Sequence, residues 1–239
     1  MVYKTMHFVD HLFILLLFVV QPIYGAHSWK RYLAQVAAGQ EADRVQLYRQ
    51  TMILEWLAFA IVGGTWLLLG RSAADLGFVA VDSYRLWGGV LALVVLTAAL
   101  AYAWSLAIRM SPAEKAEQTE KLGSLVYILP RDRRDFRSFV GISFTAGIVE
   151  EFLYRGFAFW YLFHFMPVWA AIVVSSFAFG LGHSYQGAGG VVRVTLVGVA
   201  FGLFYLLTGS IWLTMLAHVI LDVMQGLSCL EVLGEDGNE

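Results

Sequence analysis

The sequence predicts an all-α, polytopic membrane helix bundle of about seven transmembrane helices, within a range of six to eight. Three observations carry that expectation. The chain is 59% hydrophobic and only 14% charged, whereas soluble domains approach a quarter charged. Its mean hydropathy is +0.67. Apolar stretches of about 20 residues, the length a spanning helix needs, recur along the whole chain. The net charge of −2 excludes a broad basic face for nucleic acid, and the lone Cys229 can form no internal disulfide.

The seven stretches lie within 8–25, 51–69, 86–107, 138–163, 167–184, 189–208 and 211–230. The first could be read as a signal peptide, since Lys4 precedes "LFILLLFVV". Asp10 and His11 interrupt it, however, and Tyr24 stands where a small residue is wanted before cleavage, so a retained helix is expected. Three regions follow: 1–137 holds the N-terminal helices and a basic cytoplasmic linker, 138–230 a helical core, and 231–239 a polar tail ending "GEDGNE".

Lysines and arginines orient the bundle, because cytoplasmic loops carry the excess. With seven spans, one side collects Lys30, Arg31, Arg44 and Arg49, then the basic residues from Arg109 to Arg137, then Arg193. The other side holds Lys4, Arg71 and Arg85. The N-terminus is therefore expected outside and the C-terminus in the cytoplasm. In the long connection, Ser111 followed by Pro112 and Glu114 reads as a helix start. "PRDRRDFR" reads as a positive flank to the fourth span, facing lipid headgroups.

Charged side chains inside a span are costly and mark function by default. Asp10, His11 and Glu55 fall near span ends, within reach of interfacial water, and are read as structural. Glu150 and Glu151 lie about a dozen residues into the fourth span, too deep for short side chains to reach water, so they must face protein or a wet cavity. Glu151 and Arg155 are four apart on one helical face and can neutralise one another. Glu150, turned about 100° away, lacks that partner and is the acid suited to proton transfer.

Two further polar sets fall in later spans. "FAFGLGHSY" places His183 after Gly180 and Gly182, whose missing side chains let helices approach closely. "LAHVILDVM" puts His218 and Asp222 on one face of the last span. A lone histidine in a helical bundle is more often a hydrogen-bonded packing residue. Together with the acids the two histidines point to one shared site. No G-x-S-x-G is present, and Cys229 stands at a helix end, so covalent catalysis lacks support. A carboxylate beside a histidine can deprotonate water, while a second histidine donates to the oxyanion that attack creates. That chemistry is amide or ester hydrolysis inside the membrane. A zinc site built from the same side chains remains the rival, although H-E-x-x-H is absent. A catalytically silent membrane scaffold or immunity protein is the third reading.

These residues resemble the CAAX prenyl protease 2 and bacteriocin-processing (CPBP) membrane proteins, also called the abortive-infection family, which are classed as intramembrane glutamic endopeptidases. The family's E-E-x-x-x-R element is similar to Glu150, Glu151 and Arg155, its F-x-x-x-H element to Phe179 and His183, and its H-x-x-x-[N/D] element to His218 and Asp222. The resemblance covers about residues 138–226. It implies that Glu150 and His183 activate water, that His218 with Asp222 forms an oxyanion hole, and that Glu151, Arg155 and Phe179 order the site. Residue 222 is Asp where eukaryotic prenyl-protein proteases carry Asn. An ionised Asp cannot donate to an oxyanion, so Asp222 acts there only when protonated, or else orients His218. The implied substrate is a protein or peptide, with or without a lipid anchor, cut near its C-terminus. Membrane lipids are the other expected partner, and neither nucleic acid nor a cofactor is expected. Short loops favour a bacterial-type protein of the inner membrane.

Overall fold

The computed structural model describes residues 6–234, so Lys4 and the last five residues of the polar tail lie outside the described residues. Eight helices form and no strand appears among these residues: α1 (Phe8–Ala37), α2 (Arg44–Leu68), α3 (Ser83–Ile108), α4 (Pro112–Leu122), α5 (residues 133–162), α6 (Val168–Gly182), α7 (Gly187–Thr208) and α8 (Ile211–Leu233). This is the expected all-α bundle. α1, α2, α3, α7 and α8 are long and apolar enough to cross a membrane, and α6 is a shorter apolar helix. α5 is the helix that carries Glu150, Glu151 and Arg155.

Local chemistry starts these helices where the chain offers a side-chain acceptor. Asp43 accepts from the Gln46 amide at 2.9 Å, Asp132 from Asp135 at 2.7 Å, and Ser210 from Leu213 at 3.3 Å. Each satisfies an amide that the first turn leaves unpaired. At the expected start of α4, Ser111 and Glu114 close a reciprocal capping box. Asp132 lies in the arginine-rich flank, so that segment also supplies the cap of α5.

α1 is longer than the apolar stretch 8–25 and runs on through Trp29 and Tyr32 to Ala37. Pro22 does not end it. The backbone opens to the wider π-helical turn over Leu16–Val20, immediately before the proline, and this spares the ring its clash with the preceding turn. α8 likewise continues past 230 to Leu233.

Close packing is made by missing side chains. α5 and α8 run antiparallel: a Cβ on Gly226 would strike the Phe139 ring, and one on Gly147 would strike Val219 and approach the Met215 carbonyl at 3.2 Å. α6 and α7 also run antiparallel, with Gly180 against Thr195 and Gly198 against Ser176. Gly180 thus does what its sequence context suggests. The apolar core at this centre includes Trp66, Val149, Phe152, Phe157, Phe179 and Ile211. Much of the outer surface is also apolar, with Leu57, Leu91, Val94, Leu196 and Leu207 exposed, as a lipid-facing surface requires.

Candidate active site

α5 positions the acids, and its backbone changes there. Over Phe152–Ala158 the helix widens to a π-helical stretch, a form frequent at functional sites. The Glu151–Arg155 pair survives the widening: an Arg155 guanidinium nitrogen donates to Glu151 Oε1 at 2.7 Å. Both side chains are sealed, at 0% and 1% exposure. Arg155 also donates to the Gly198 carbonyl at 3.1 Å and lies over the rings of Phe179, at 4.7 Å, and Phe201, at 5.6 Å.

His218 of α8 completes this arrangement. Its Nδ1 lies 2.8 Å from the same Glu151 Oε1, and a carboxylate acceptor there means that Nδ1 carries the proton. Its Nε2 faces two more acids, Glu150 Oε2 and Asp222 Oδ2, each at 3.7 Å. Those two differ from Glu151 in keeping contact with solvent, at 19% and 29% side-chain exposure. One carboxylate is therefore a buried fixture, and two are within reach of a water or substrate.

Phe179 stands among all of these groups. Its ring meets His183 at 4.7 Å, His218 edge-on at 6.0 Å and Tyr154 at 5.1 Å. His183, at the end of α6, has its Nδ1 2.9 Å from the Phe179 carbonyl and lies in the electrostatic field of Asp222. The fold thus brings Glu150, Glu151, Arg155, Phe179, His218 and Asp222 into one cluster. His183 adjoins it through Phe179 and Asp222.

Glu55 of α2 belongs here as well. Read from its position as a structural residue reaching interfacial water, it instead interacts with Glu150, His218 and Asp222, and its Oε2 is buried without a hydrogen-bond partner among the described residues. Its distance from Arg44, eleven residues along the helix, was the available signal that it lies deep. Tyr185, beside His183 at 5.8 Å between rings, also feels Glu150, Asp222 and Glu55. Asp10 is structural, as read, though not by reaching water: its two oxygens accept from Arg71 at 2.7 and 2.6 Å inside the protein. His11 Nδ1 pairs with the Tyr161 hydroxyl at 2.6 Å.

Beside the site, an apolar cavity of about 370 Å³ lies between α2, α5 and α8, with Trp56, Phe59, Phe144, Ile148, Met215 and Val219 in its lining. Among the described residues, no three His, Cys, Asp or Glu side chains are arranged to hold a metal ion.

Residues 133–224 match the family model described as type II CAAX prenyl endopeptidase Rce1-like. The matched segment contains every motif residue of the cluster, and the resemblance read from those motifs is to this same family. A match to that family supports intramembrane protease activity of the CAAX type in general. No curated protein and no solved structure matches the chain. Several apolar helices together with the family match make this an integral membrane protein.

Proposed function

We propose that this chain is a glutamic-type intramembrane endopeptidase that hydrolyses a peptide bond near the C-terminus of a protein or peptide. Water is the nucleophile. Glu150 removes its proton, with His183 assisting, as the water oxygen attacks the scissile carbonyl carbon. The oxyanion takes a hydrogen bond from His218 Nε2, which requires His218 to carry protons on both ring nitrogens. As the carbon–nitrogen bond breaks, the proton held by Glu150 passes to the leaving amine.

The observation that carries this reading is His218 held between three carboxylates of different standing. Glu151 takes Nδ1 at 2.8 Å, while Glu150 and Asp222 flank Nε2 at 3.7 Å. The 3.7 Å spacing is too long for a direct hydrogen bond and leaves those groups free to act on a water or substrate. Asp222 orients His218. Glu151, clamped by Arg155, keeps the imidazole from turning. We place the core at 138–230, with the N-terminus outside and the C-terminus in the cytoplasm of a bacterial inner membrane. The peptide tail enters from the cytoplasmic face, and any lipid anchor on it lies between helices, next to the apolar cavity.

Purified protein assayed on a peptide library tests this, with Glu150→Gln and with chelator. Turnover that Glu150→Gln abolishes and chelator leaves intact supports the glutamic mechanism. Loss with chelator moves the reading to a metal-dependent protease, and no turnover of any peptide makes the chain a silent scaffold.

A further inference from the structure

We propose that Glu55 selects the substrate of this site, its carboxylate pairing with a lysine or arginine side chain of the peptide next to the scissile bond. The inference rests on the endopeptidase reading above.

The position of Glu55 follows from the register of two helices. α2 and α5 run side by side in the same direction: Met52 Sδ packs over Gly141, Trp56 Nε1 donates to Thr145 Oγ1 at 3.1 Å, and the rings of Phe59 and Phe152 meet at 4.4 Å. The first two contacts bracket Glu55 and place it level with Phe144, about one and a half turns before Glu150 on α5. The neighbours that act on its charge are Glu150, His218 and Asp222, and Tyr185 feels Glu150, Asp222 and Glu55 itself. Its Oε2 is closed off from solvent and has no hydrogen-bond donor among the described residues. A buried acceptor in that condition is costly until something donates to it.

Charge in the site is uneven. Arg155 is spent on Glu151 and the Gly198 carbonyl. Glu150 and Asp222 flank His218, and Glu55 interacts with all three, with no lysine or arginine among the described residues that act on it. A cationic side chain entering beside the scissile bond relieves this repulsion and supplies the missing donor, whereas an acidic one adds to it. Glu55 is thus a specificity residue, distinct in role from the acid that acts on water.

The test uses the full chain in detergent or vesicles, with a peptide that the wild type cuts, varied to Lys, Leu or Glu at each position flanking the cut. The expected wild-type preference for Lys over Leu is about 10- to 100-fold in kcat/KM, the range of a hydrogen bond to a charged group, and it resides in KM. Glu55→Gln collapses this ratio by raising KM for the Lys peptide. Glu55→Asp retains the preference, and Glu55→Lys turns it toward the Glu peptide, so the test survives the failure of any one variant to fold. Turnover that depends on Glu150 but shows no charge preference overturns this proposal alone. So does a Glu55→Gln variant that slows all three peptides equally. No turnover of any peptide overturns it together with the endopeptidase reading.

Discussion

One oxygen of Glu151 serves both Arg155 and His218. Oε1 lies 2.7 Å from an Arg155 guanidinium nitrogen and 2.8 Å from His218 Nδ1, while Oε2 is buried with no partner among the described residues. Glu151 therefore joins α5 to α8 and fixes the plane of the imidazole whose other nitrogen faces Glu150.

Removing Glu151 leaves Arg155 charged, buried and without its carboxylate. Glu151→Ala is expected to cost about 3–5 kcal/mol of stability, the usual penalty for breaking one side of a buried pair. A thermal melt in detergent measures it. An unchanged melting temperature would contradict the burial and geometry of this pair.

Arg155 makes two hydrogen bonds from a planar fork and lies against two aromatic rings. Lysine keeps the charge but cannot reproduce that fork. Arg155→Lys is expected to lower both stability and turnover, with the melt and the peptide assay falling together. Full activity in Arg155→Lys would mean that one point charge suffices to hold Glu151.

Arg71 and Asp10 form a second buried pair, and Arg71 also lies over Trp66 at 5.0 Å and Trp160 at 4.6 Å. Asp10→Asn is expected to destabilise the protein by about 3 kcal/mol or more. Because the two residues are in contact, Asp10→Asn combined with Arg71→Met should cost less than the sum of the single changes. Strict additivity in a double-mutant cycle would show that the pair does not couple.

A methyl at Gly180 would meet Thr195 and come within 2.7 Å of the Val191 carbonyl oxygen. Backbone cannot step aside as a flexible side chain can. Gly180→Ala is expected to cost about 1–3 kcal/mol and to shift His183, three residues on. Gly64 has nothing within 4 Å of its Cβ position, so Gly64→Ala serves as the control in the same melt.

What could be read from the sequence followed from local spacing. Glu151 with Arg155 and His218 with Asp222 each stand four apart in apolar helices, so their shared faces are fixed by helical geometry alone. The start of α4 at Ser111 and Glu114 is local in the same sense. Glu55 was not legible, because its depth depends on the register of α2 against α5, set by Gly141 and by the Trp56–Thr145 bond. The sharing of Glu151 Oε1 was equally hidden: it needs the antiparallel register of α5 and α8 that Gly147 and Gly226 permit. Arg71 as the partner of Asp10 lies sixty-one residues away along the chain. The widening of α5 over Phe152–Ala158 has no proline to announce it, unlike the one before Pro22.

The most direct measurement is peptide hydrolysis by Glu150→Gln alongside the wild type, with the melt of both proteins recorded. The change keeps the side chain's shape and removes the base. Turnover should fall by about 10²- to 10⁴-fold, the usual worth of a positioned proton acceptor, while the melting temperature stays close to that of the wild type. A folded Glu150→Gln protein that cuts as fast as the wild type would contradict the account.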